Sequence, residues 1–160
     1  MDRAYADPSH DAVVDAWLAR SIDHGSSIEI VRLFHAALDV VWNSTVTILG
    51  SVTLTAIAER VLHNATERYT FLAAVDPRSN GDARGVERLY ERLATVPRAA
   101  LIEGLRYGLI ELLTILGALT ANVLRADLHR ALEAITTTSD PELPGNVQPR
   151  SGVARTEMQT

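Results

Sequence analysis

None of the 160 residues is cysteine, so disulfides, thiolate metal ligands, iron–sulfur clusters and cysteine nucleophiles are excluded together. Lysine is missing too, and all 15 basic residues are arginine. No single function would exclude lysine everywhere, so this reads as a GC-rich coding bias. Positive charge is not in excess either: the formal net charge is −5, no basic face stands out, and nucleic acid is not an expected partner. The strings Gly-x-Ser-x-Gly, Gly-x-x-x-x-Gly-Lys and Gly-x-Gly-x-x-Gly do not occur, which leaves serine elbows, P-loops and dinucleotide folds without support. Residues Met1 to His10 lack the charged-then-apolar order of a signal peptide, so a cytoplasmic chain is expected.

Strand signals are almost absent, and the chain instead shows apolar residues at three- and four-residue steps, punctuated by glycine and proline. From Ser9 to Ile22, the residues Val13, Val14, Trp17, Leu18 and Ile22 form one face of a short helix that Gly25 can end. Ser26-Ser27-Ile28-Glu29 reads as a capping box for a second helix. That helix is apolar nearly all round from Val40 to Ala58, which makes this stretch the expected buried centre. Asn43, Ser44, Thr45 and Gly50 lower helix propensity, so a kink or break is expected between about Asn43 and Ser51, with a new helix from about Val52 to Tyr69 or Leu72.

Asp76-Pro77 and the polar run to Asp82 read as a mobile loop, and Gly85 to Ala94 as a short helix with Val86, Leu89, Tyr90 and Leu93 inward. Pro97 fits the first turn of a long helix, with Thr95 as its cap, whose leucine series reaches about Leu124. A last helix follows from about Ala126 to Ile135. Beyond it, Thr136 to Thr160 offers almost nothing large and apolar to bury, so a disordered tail is expected.

One pattern links the halves. Thr47-Ile48-Leu49-Gly50-Ser51-Val52-Thr53 returns 67 positions later as Thr114-Ile115-Leu116-Gly117-Ala118-Leu119-Thr120, and Leu62-His63-Asn64-Ala65 is echoed by Leu128-His129-Arg130-Ala131. If one helical unit is written twice, the copies pack about a local two-fold axis and Gly50 meets Gly117 at a helix crossing. Gly104-x-x-x-Gly108 points to another close approach. The plainer account is chance recurrence in a chain rich in leucine, alanine and threonine. The same offset aligns Asp39 with Arg106, an ion pair in the making unless Asp39 and Glu111 simply face solvent on a narrow polar stripe.

Histidines are the natural place to look for chemistry. His35, His63 and His129 each lie within a helical pattern. Glu59, His63 and Glu67 share one helix face at four-residue steps, but Glu-x-x-His, the diiron signature, fails at all three histidines because Arg32, Arg60 and Ala126 occupy the needed positions. Pairing at i,i+4 accounts for these residues better than a metal does. A phosphotransfer or kinase-docking bundle using His63 is an alternative, although Asn64 stands where an acid would follow the histidine and no ATP-binding box is present. Val40 to Ala58 carries no charge and Tyr107 to Leu124 only Glu111, so a small membrane protein with two spanning helices is a further alternative.

At 160 residues and 47% hydrophobic content the chain can bury a substantial core. The reading is all-α: a helical bundle of five or six helices over residues 1–136, with repeat units 26–75 and 95–136 and pseudo-two-fold symmetry, followed by a disordered tail over residues 137–160. No catalytic, cofactor-binding or metal-binding residue is assigned and no cofactor is expected. The apolar excess of Val40 to Ala58 and Leu109 to Leu119 is more than one bundle covers, which points to a homodimer. By elimination the expected function is a non-enzymatic regulatory or protein-interaction module, in a signalling pathway, with itself and an unidentified protein as partners.

Overall fold

The computed structural model describes residues 9–22, 25–76 and 83–135. The loop expected after Asp76 and the tail expected from Thr136 lie outside the described residues. Among these residues the chain is all-α, with six α-helices and no strand: α1 (His10–Ser21), α2 (Ser27–Leu49), α3 (Ser51–Arg68), α4 (Ala83–Ala94), α5 (Arg98–Leu119) and α6 (Arg125–Glu133), with a short 3-10 helix at Thr70–Ala74.

Local chemistry sets most helix ends. Ser9 caps α1 by accepting from the Ala12 amide at 3.3 Å, and α1 stops at Ser21, before Gly25 is reached. At the start of α2 the capping box is complete: the Ser26 amide donates to Glu29 Oε2 at 2.6 Å and the Glu29 amide to Ser26 Oγ at 3.4 Å. The helix then runs unbroken through Asn43, Ser44 and Thr45. Within it the hydroxyls of Ser44 and Thr45 donate back to the carbonyls of Val40 and Val41, each at 2.7 Å, so both are satisfied without leaving the helix. The break falls at Gly50, whose φ of +79° no L side chain adopts readily.

Two expected boundaries on α5 move. Thr95 does not cap it, since its hydroxyl donates to the Arg92 carbonyl at 2.8 Å and Pro97 takes the cap position without a side-chain bond. At the far end α5 stops at Leu119 and not near Leu124. Ala121 and Asn122 enter the left-handed region with φ of 48° and 63°, and the Asn122 amide closes the turn on the Gly117 carbonyl at 2.7 Å.

The core forms where α1, α2, α5 and α6 meet. Trp17 is fully buried, stands edge-on to Phe34 with ring centroids 5.4 Å apart, and donates its indole N–H to the Ile135 carbonyl at 3.1 Å. The Trp17–Phe34 contact joins α1 to α2 near the start of α2. Helix α5 is antiparallel to α1, because His10 at the start of α1 lies against Gly117 while Asp15 pairs with Arg106. Leu101, Leu109, Leu113 and Leu116 of α5 and Leu128 and Leu132 of α6 complete the interior.

Several packing expectations change. The stretch Val40 to Ala58 is not a buried centre: Val41, Thr45, Leu54 and Ile57 are buried, whereas Thr47, Ile48 and residues 50–53 are exposed. Gly50 and Gly117 do not share an environment. A Cβ on Gly50 would meet nothing within 4 Å, while one on Gly117 would lie 3.2 Å from His10 Nε2. The repeated histidines differ too, His63 being exposed and His129 buried. Gly104 is a true close approach, since a Cβ there would come within 2.5 Å of the Phe71 ring, but a Cβ on Gly108 would meet nothing within 4 Å.

Asp39 does not reach Arg106. It sits exposed beside His35 one turn away, as the solvent-facing account had it, and Arg106 instead grips Asp15 through a two-pronged contact, its Nη2 donating to Oδ2 at 2.8 Å. That hydrogen bond holds the Asp15 carboxyl below its ordinary value, with burial opposing it, and raises Arg106. Because the folded carboxyl titrates below the unfolded one, the pair stabilises the fold above about pH 4 and ceases to as pH falls through the folded value. Arg106→Ala is therefore expected to cost about 0.5–1 kcal/mol at pH 7, the scale of an exposed pair, and the difference from wild type should close in acid. Urea denaturation at both pH values measures it, and an unchanged gap in acid would assign the loss to packing of the arginine stem instead.

Candidate functional site

The two copies of the repeated heptapeptide each run into a turn. The first spans the break at Gly50 between α2 and α3, and the second passes from the last residues of α5 into the turn after Leu119. The two turns expose aliphatic side chains: Ile48 and Val52 flank the Gly50 break, and Leu119 and Val123 flank the turn after α5. Val52 is 84% exposed and Val123 76%, values at which a valine gains nothing from folding, so neither is there for the core. No charged residue lies between Val40 and Ala58 or between Leu112 and Leu124. The two turns are thus uncharged and aliphatic, with Asp11 and Arg125 beside the second.

Against Gly117, just before the second of these turns, His10 Nδ1 and His129 Nε2 are 2.8 Å apart with rings at 88°. One ring must donate and the other accept, so this bond exists only while at least one of the two imidazoles is neutral. It ties the start of α1 to α6 where Gly117 leaves room for His10. Sequence reasoning found His129 but not its partner, because the pair is 119 residues apart in the chain.

The other two histidines lie elsewhere. His63 stands out from α3 with its side chain 77% exposed and Nε2 3.8 Å from Glu67. That is an i,i+4 contact, longer than a hydrogen bond. His35 Nδ1 lies 3.6 Å from Asp39 Oδ2, and its ring stands at 90° to that of Tyr90 with centroids 6.0 Å apart. Burial pushes the Tyr90 hydroxyl up from its ordinary value, which keeps it a neutral donor and acceptor at physiological pH. Among the described residues no group of three or more His, Asp or Glu side chains converges in a way that could hold a metal ion.

His35 and Tyr90 belong to a feature the sequence does not announce. Helices α2, α3, α4 and α5 and the 3-10 helix surround a partly open cavity of about 150 Å³, walled by Phe34, Val61, Leu62, Leu109 and Leu112 among others. Gly104 and Gly108 both line it. Glycine inside a helix costs about 1 kcal/mol relative to alanine, and the two differ in why it is tolerated. Gly104 makes way for Phe71 and Tyr69, whereas at Gly108 a Cβ would meet no atom within 4 Å.

No helix among the described residues is long and apolar enough to cross a membrane, which removes the reading with two spanning helices. The physical reason is that Gly50 cuts the first apolar stretch in two and the turn at Thr120 shortens the second. Comparison of the chain with protein-family models, with curated proteins and with solved structures gives no match.

Proposed function

We propose that this chain is a non-enzymatic helical regulatory or protein-interaction module that works as a homodimer, paired through the exposed aliphatic turns that carry the two heptapeptides. The observation that carries this reading is the exposure of Ile48, Val52, Leu119 and Val123 on two uncharged turns. A second copy is the occupant best matched to that surface. Twofold pairing sets each patch against itself, and because the turns themselves carry no ions their burial brings no charge into the centre of such an interface. Acidic or basic partners would find nothing there to neutralise.

Sizing with light scattering tests the pairing. Wild type is expected at twice the chain mass of 17.4 kDa. A variant carrying Val52→Asp and Val123→Asp should be a monomer of unchanged helicity, because each dimer would have to bury four carboxylates. The dimer dissociation constant should rise by more than about tenfold, a change of about 1.4 kcal/mol. A clean wild-type monomer at micromolar concentration would overturn the reading.

A further inference from the structure

The cavity between α2, α3, α4 and α5 stands apart from the proposed dimer surface. We propose that it is a binding site for a small, uncharged, mostly apolar molecule, of the size of a single aromatic ring, whose one hydroxyl faces His35 and Tyr90. Three observations converge on this. The volume, about 150 Å³, is that of apolar cavities that stay dry and take up benzene. The walls are aliphatic and aromatic, and polar atoms gather beside them where the rings of His35 and Tyr90 stand 6.0 Å apart.

The third observation is Gly108. It sits mid-helix, where glycine is disfavoured, on the cavity wall, and no neighbour would collide with a Cβ there. Packing does not require it, so its effect is to leave space. The titratable groups on the wall are His35, Tyr90 and Asp76, and because Asp76 is already engaged in an interaction of its own, the ligand expected beside His35 and Tyr90 is neutral. Tyr90 remains protonated in its half-buried setting, and the charges of Arg32 and Asp39 act on it with opposite sign. A phenol can donate to or accept from a His35 ring nitrogen or the Tyr90 hydroxyl while its own ring lies against Phe34 and Leu62.

Isothermal titration with p-cresol, toluene and benzylamine, the last protonated at neutral pH, tests the assignment. p-Cresol is expected to bind best. Gly108→Leu should fill the space and weaken p-cresol binding by more than about tenfold without lowering the melting temperature, and Gly108→Ala should fold with an intermediate affinity. Tyr90→Phe should weaken p-cresol several-fold and leave toluene unchanged. Failure of p-cresol to bind at millimolar concentration, equal binding to the Gly108→Leu variant, equal p-cresol binding to Tyr90→Phe, or a preference for benzylamine would each overturn the proposal. The Val52→Asp, Val123→Asp variant should bind p-cresol like wild type, which separates this site from the dimer surface.

Discussion

Trp17→Ala is expected to cost about 3–5 kcal/mol, a large part of the 5–15 kcal/mol that stabilises a typical domain. Trp17 is fully buried and joins the first two helices to the last, packing from α1 against Phe34 of α2 and bonding the Ile135 carbonyl just past α6, 118 residues away in the chain. Removing the ring opens a cavity that the neighbouring helices can only partly close, and it leaves that carbonyl without its donor. Trp17→Phe separates the two contributions, because it keeps an aromatic edge against Phe34 and loses only the N–H and some volume. Its cost should be about 1–3 kcal/mol. Chemical denaturation followed by helical circular dichroism gives both values, and a Trp17→Ala variant as stable as wild type would mean that α6 is not held in this way.

Gly50→Ala should destabilise the fold by about 1–3 kcal/mol, through the backbone alone. A Cβ at residue 50 meets no atom within 4 Å, so no steric contact confuses the result, but φ of +79° with ψ of 156° is a conformation essentially restricted to glycine. Alanine prefers the helical region instead. The relief open to the chain is to straighten α2 into α3, a single helix of residues 27–68 roughly 60 Å long. That would pull α3 from α5 and permit exchange of helices between two chains. Thermal melts should show the loss of stability and size exclusion any exchanged species. A variant with unaltered stability would show that the break does not depend on glycine.

Which parts of this architecture could be read in the sequence follows from the range of the interactions involved. The capping box at Ser26 and the break near Gly50 depend on residues within one turn of each other, and both were legible. Thr95 misled because serine and threonine have two local uses. They cap a following helix or bond back to a carbonyl, and here the second operates. The end of α5 misled because leucines continue to Leu124 while two residues in the left-handed region, neither of them glycine, turn the chain.

The cavity and the histidine pair were not legible at all. Both are assembled from residues on different helices, and a repeat such as Leu-His-x-Ala looks the same whether its histidine ends in solvent, as His63 does, or in the core, as His129 does.

The sequence by itself determined that the chain is helical and that cysteine chemistry is absent, because spacing, caps and composition act within a few residues and need no tertiary context. Only the tertiary structure decided which apolar residues are inside. The uncharged stretch around Gly50 was expected at the centre and lies instead at an exposed turn, since a bundle buries a side chain only where a neighbouring helix happens to face it. The same dependence on neighbours gave Arg106 to Asp15 and left Gly108 facing open space.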